Sequence, residues 1–139
     1  NTVQFGGDAW VPTSNTSPLL VSPIHFKRFA DMENPFVNCD RGAAFVTGAL
    51  QFIDLDFFVS IGGLNPSLSK VFQDVDLCLS TLERDGRVFY FGKDIHFYHD
   101  ESATLNNLKD EKKEDLQYTS DHVLFAKIWN EKIANLVWS

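Results

Sequence analysis

VFQDVDLCLSTLERDG, running from Val71 to Gly86, is the stretch on which the reading of this chain turns. Val75, Cys78, Leu79 and Leu82 recur at helical spacing and form one apolar stripe, which predicts a helix over about Asp74–Arg84. Asp85-Gly86 supplies its stop. Asp74 and Asp76 stand at its front. On a helix, residues two apart point roughly 200° away from each other. The pair therefore flanks the apolar stripe on opposite shoulders and is poorly arranged to hold one ion between them. Two readings remain for each residue. One is capping with helix-dipole complementarity. The other is a general base at a loop–helix junction, held by a rigid element and open to a cleft.

Working outward, DLDFFVSIGG (54–63) predicts a short helix with Asp54 as N-cap and Gly62-Gly63 as the stop. Leu55, Phe57, Phe58, Val59 and Ile61 cover most of its circumference, so it is expected to be largely buried. Before it, AAFVTGALQFI (43–53) is rich in β-branched and aromatic residues and reads as a buried strand. After the acidic helix, RVFYFG and DIHFYHD read as two short strands, and the polar run 102–117 leads into a final helix over about Thr119–Val137. That helix carries Val123, Phe125, Ile128, Trp129, Ile133 and Leu136 on a wide apolar face. Residues 2–7 read as a strand ending at Gly6-Gly7. Residues 8–35, punctuated by Pro12, Pro18, Pro23 and Pro35, read as a long loop with one short helix, PIHFKRFAD. The sum is a mixed α/β layer in one domain over residues 1–139.

Composition narrows the function classes. Hydrophobic residues make up 44% of the 139 and aromatics 14%, with thirteen Phe, enough for a packed core. A formal net charge of −7 argues against a general nucleic-acid binder. There is no basic cluster for anionic lipid, and the longest apolar run, GAAFVTGALQFI, is too short to span a bilayer. Cys39 and Cys78 read as free thiols in a reducing compartment, although their spacing leaves a disulfide open. No signal peptide is visible. The chain opens in mid-pattern, which suggests a piece of a longer protein.

Five motifs in order resemble the C-terminal half of family 2 glycosyltransferases. They are Val46-Thr47-Gly48-Ala49, the Phe57–Gly63 helix ending in Gly-Gly, Gln73-Asp74-Val75-Asp76-Leu77-Cys78-Leu79, Gly86-Arg87-Val88-Phe89-Tyr90, and His99-Asp100-Glu101-Ser102. The likeness covers roughly residues 2–105, and TVQFGG is similar to the preceding strand of O-antigen and rhamnose-transferase-like members. It implies the C-terminal portion of a glycosyltransferase A-type fold, a mixed sheet with flanking helices, with the nucleotide-binding half absent. The implied activity is inverting transfer from a nucleotide-sugar donor to a hydroxyl of a glycan or lipid-linked acceptor in surface polysaccharide synthesis. The implied location is the cytoplasm or the inner face of the membrane.

In that resemblance Asp74 is the general base, Asp76 and Gln73 support it, and His99 contributes to a Mg²⁺ or Mn²⁺ site on the donor diphosphate. Gly48, Gly62, Gly63 and Trp10 are candidate substrate-binding positions, Trp10 as a sugar-stacking platform in its loop. His96, three residues before His99, is expected on the opposite face of its strand, and His25 and His122 are expected to be structural or surface residues. The sequence departs from the family at Gln73, which replaces the usual acidic or amide partner, at Ser80, where an Arg often stands, and at LNPSL (64–68), which replaces an acidic segment. Asp54–Asp56 matches an Asp-X-Asp metal motif by letters only, since it opens a helix. The alternative is a non-catalytic module that binds glycan or a partner through the same cleft. A sheet stripped of neighbours would expose an apolar edge, which leaves self-association open.

Overall fold

The structure, a computed structural model, describes residues 5–99 and 111–137, without the side chains of 111–115. Among these residues the chain forms two small antiparallel sheets and four helices. The α/β expectation holds at that level. Strands β1 (Asp8–Pro12) and β2 (Val21–His25) pair in a hairpin, with Trp10 opposite Pro23 and Pro12 opposite Val21. Strands β3 (Asp40–Gly42) and β4 (Phe89–Phe91) form the second sheet, with Arg41 opposite Tyr90.

The hairpin overturns the reading of 8–35 as a loop with a helix. Its ladder continues past β1 and β2, because Gly6 N donates to Phe26 O at 3.1 Å and Phe26 N donates to Gly7 O at 3.0 Å. Pro23 misled the reading. A two-stranded sheet is all edge, and a proline lacks only a donor that an edge strand does not need. PIHFKRFAD is therefore the end of β2 followed by turns. The strand expected at 2–7 falls partly outside the described residues. Its described part, 5–7, precedes the actual strand.

Two further strand expectations fail for one reason. AAFVTGALQFI and residues 94–99 carry strand-like composition, yet beyond Ala43, whose N–H donates to Val88 O at 3.0 Å past the end of the β3–β4 ladder, neither finds a ladder partner among the described residues. Strand propensity describes a side chain that suits a pleated, half-buried surface, and the pairing itself comes from elsewhere. Phe45 is buried at 3% exposure, while Phe52 is 93% exposed.

Helix α1 (Leu55–Ser60) forms where expected. The Asp54 carboxylate accepts from Phe57 N at 2.8 Å, and Gly62 and Gly63 follow with φ of +89° and +71°. It is not buried, however. Leu55 and Val59 lie mostly in solvent and no residue of α1 is fully covered. Helix α2 (Gln73–Glu83) is the centre of the molecule. Its stripe of Val75, Cys78 and Leu79 is buried in a core with Leu19, Phe45, Leu68, Phe125, Ala126, Trp129 and Ile133, and Leu82 packs on the edge of that core.

The last helical stretch begins earlier than the sequence suggests and is broken. Helix α3 spans Glu111–Trp129 and helix α4 spans Ile133–Val137, with turns between them. Val123, expected on the apolar face, is half exposed. Phe125, Trp129 and Ile133 are buried as expected. At the break, the Asn130 amide donates to Pro18 O at 2.9 Å and accepts from Leu20 N at 3.2 Å, fastening the β1–β2 loop to the end of α3. The two thiols are free, as read from the sequence.

Candidate functional site at the start of the acidic helix

The start of α2 is held from three sides. The first hold is Asp121 of α3, a fully buried carboxylate. Its Oδ2 accepts from Lys70 N at 2.7 Å and Val71 N at 3.0 Å. Its Oδ1 accepts from Gln117 Nε2 at 3.0 Å and Ser69 N at 3.3 Å. Burial by itself would raise this carboxyl's pKa. The N–H donors from Val71, Gln117, Lys70 and Ser69 together outweigh burial and hold it below the ordinary 3.8.

The second hold is Phe72. It caps α2 in the left-handed region at φ 69° with no side-chain hydrogen bond. That conformation is strained for a residue with a Cβ. Ring contacts hold it in place, stacked on Phe125 at 4.6 Å and edge-on to His122 at 4.7 Å.

The third hold is Asp74 itself. Its Oδ2 accepts from Gly48 N at 2.8 Å and its Oδ1 accepts from Val75 N at 2.9 Å. The group is half-buried, and each oxygen keeps lone-pair capacity for a further donor. Gly48 is a site of close approach. A Cβ there would lie 3.2 Å from the Asp74 Cβ and 3.4 Å from its Oδ2.

Asp76 points elsewhere, as the helical geometry requires. It is 6% exposed and its Oδ1 accepts from Trp129 Nε1 at 2.8 Å. Burial pushes its pKa above 3.8. The hydrogen bonds from Trp129 and Asn65 only partly offset that shift, and the Glu83 charge adds to it. Asp76 thus ties α2 to α3 and to the loop after α1. Asn65 sits in the LNPSL segment (64–68).

The remaining candidates are dispersed. Gln73 opens α2 beside Asp74. Gly62 faces open space and Gly63 lies against the Phe58 ring, both as the stop of α1. Trp10 lies on β1 rather than in a loop. Its ring packs edge-on against Phe45 at 5.4 Å, with a buried Nε1 that has no hydrogen-bond partner among the described residues.

His99 lines a cavity of about 730 Å³ together with His96, Cys78 and Arg87. The strand alternation expected to separate His96 from His99 does not apply, because 95–99 is not a strand. Neither Asp74 nor Asp76 lines this cavity. No group of three or more His, Cys, Asp or Glu among the described residues could hold a metal ion. The divalent cation implied by the resemblance therefore does not fit the described residues alone.

Sequence reading missed Asp121, because a single acid within a helix looks like one more solvated position. It also took Trp129 for a packing residue and overlooked its N–H as the partner of Asp76. No described helix is long and apolar enough to cross a membrane. No protein-family model, curated protein or solved structure matches this chain.

Proposed function

We propose that the chain is the acceptor-binding, base-carrying part of an inverting glycosyltransferase of the family 2 kind, with a glycosyltransferase A-type fold completed by a nucleotide-binding half. One observation carries the reading. The hydrogen bond from Gly48 N to the Asp74 carboxylate joins two of the resembling motifs across 26 positions of sequence. It does so at a loop–helix junction and at a glycine with little room for a side chain.

In this reading Asp74 is the general base. An acceptor hydroxyl is a poor nucleophile at neutral pH and needs a positioned base within hydrogen-bond reach. The N–H groups of Gly48 and Val75 fix the carboxylate plane, and a free lone pair takes the hydroxyl proton. The acceptor oxygen then forms its bond to the anomeric carbon as the bond to the nucleoside diphosphate breaks on the opposite face. Asp76, bonded to Trp129, fixes the pitch of α2 beneath that carboxylate. The donor is a nucleotide sugar, the acceptor a glycan or lipid-linked glycan, and the setting the cytoplasmic side of the membrane. Mg²⁺ or Mn²⁺ on the donor diphosphate would need ligands beyond the described residues, and no step is assigned to it.

The natural gene product carrying Asp74→Asn tests this. Transfer from a nucleotide-sugar panel should fall by about 10²–10⁴-fold, with the circular dichroism spectrum unchanged and a stability loss of only about 1–3 kcal/mol from the one backbone N–H that Asn no longer accepts. Retained transfer would remove Asp74 from the role. The second reading, a non-catalytic glycan-binding or interaction module, is favoured by the separation of Asp74 from the large cavity. Glycan binding by a wild-type protein that transfers no sugar would establish it.

A further inference from the structure

The 730 Å³ cavity has a lining unlike the rest of the chain. Its walls come from the buried side of α2, the 46–53 segment, β4 with its flanks, and residues 95–99, and they are mostly aliphatic and aromatic. The sequence has 19 Asp and Glu against 12 Lys and Arg. Yet no Asp or Glu appears among the described lining residues, where the groups able to carry positive charge are Arg87, His96 and His99. Arg87 is exposed, and neither it nor the two histidines has a hydrogen-bond or ion-pair partner among the described residues. Arg87 precedes β4 and the histidines follow it, so β4 brings all three to one cavity.

The size lies within the roughly 300–1,000 Å³ of ordinary ligand sites, which combine apolar walls with a few polar groups. A purely apolar ligand would leave a guanidinium at the cavity without a counter-charge. A hydrophilic anion would leave the apolar walls uncovered. A molecule with both parts satisfies both.

We propose that this cavity binds an anionic amphiphile, an apolar chain seated against the Phe- and Leu-bearing walls with its carboxylate or phosphate on Arg87, next to His96 and His99. The site is independent of the Asp74 reading, since Asp74 does not line it.

Calorimetric titration of the natural gene product at neutral pH, with probes below their micelle concentrations, tests this. The probes are dodecanoate, dodecyl phosphate and the uncharged methyl dodecanoate. Both anions should bind saturably at one site, and the ester about tenfold or more weaker, the scale of a charge-assisted hydrogen bond. The relative affinity of the two anions identifies the headgroup. Arg87→Gln, at an exposed position, should weaken both anions about tenfold and leave the ester unchanged. Ala49→Trp, which fills the cavity from an exposed position, should abolish binding of all three with the circular dichroism spectrum intact. Should Ala49→Trp disturb the fold, Arg87→Gln decides. Equal affinity for ester and anions, absence of binding, or indifference to Arg87→Gln would overturn the proposal. So would a dimer in sedimentation that Ala49→Trp dissociates, because a second copy would then be the occupant.

Discussion

Asp76 and Asp121 are both buried carboxylates at the contact between α2 and α3, and their surroundings shift them in opposite directions. Asp121 is held below 3.8, so the folded state binds its proton less readily than the unfolded chain. Its stabilising contribution is complete above 3.8 and is lost as pH falls through the lower folded value. Asp121→Asn turns an amide N–H₂ toward N–H donors. It should cost about 2–3 kcal/mol at pH 7, the worth of hydrogen bonds to a charged group. The gap to wild type should close on acidification. Asp76 is raised above 3.8, so the folded state holds its proton more readily, and stability falls as pH rises from 3.8 through the folded value. An Asn at 76 still accepts from Trp129. Asp76→Asn should therefore lie within about 1 kcal/mol of wild type at pH 7 and gain on it steadily above pH 4. Urea unfolding of the three proteins between pH 3 and 7 separates the two signs. Parallel curves for both variants would refute the assignment of opposite shifts.

At the scale of the element, α2 shows what was legible in the sequence and what was not. Its stripe, its acidic start and its DG stop follow from local rules of period and capping, and so do the N-cap and double-glycine end of α1. Even there the chemistry differs in detail. The left-handed residue at the end of α2 is Asp85, at φ 59°, not Gly86. Gly86 is required for closeness, since its N–H donates to Thr81 O at 2.9 Å and a Cβ would come within 2.8 Å of that same oxygen. Gly86→Ala should accordingly cost about 1–3 kcal/mol, the range for overpacking, in the same urea assay. A neutral result would mean that the turn after α2 relaxes freely. The features that escaped sequence reading depend on distant partners. The hairpin needed Trp10 opposite Pro23, residues 44–53 have no strand to pair with among the described residues, and Asp121 answers donors about fifty residues away. Within the candidate site, the Asp74–Gly48 contact followed two motifs that the sequence displays. The Asp121 hold and the cavity beside β4 had no local signature.

Across the whole molecule, α3 and the turn after it bind α2 along its length: Asp121 before its start, Trp129 to Asp76 in its first turn, and Lys132 Nζ to Glu83 at 2.7 Å near its end. The last pair is half exposed and contributes little by itself. Together the three predict that separation of α2 from α3 accompanies unfolding. Cys78 reports on it. The thiol is 5% exposed and burial pushes its pKa up to about 11, so at pH 8 only about one part in a thousand is thiolate, the nucleophilic form. Cys39 is partly exposed and hydrogen-bonded by the Arg41 guanidinium at 3.1 Å. A disulfide reagent too bulky for the cavity that Cys78 also lines should therefore, at pH 8, titrate one thiol rapidly and the second only through opening of the α2–α3 contact. When opening and reclosing are faster than labelling, the rate follows the population of the open form. A loss of about 2 kcal/mol in Asp121→Asn should then speed Cys78 labelling about thirtyfold, while Cys39 is unaffected. Fast labelling of both thiols in the wild type would show that the cavity side of α2 opens without α3, and that the helix pair is not the unit that unfolds.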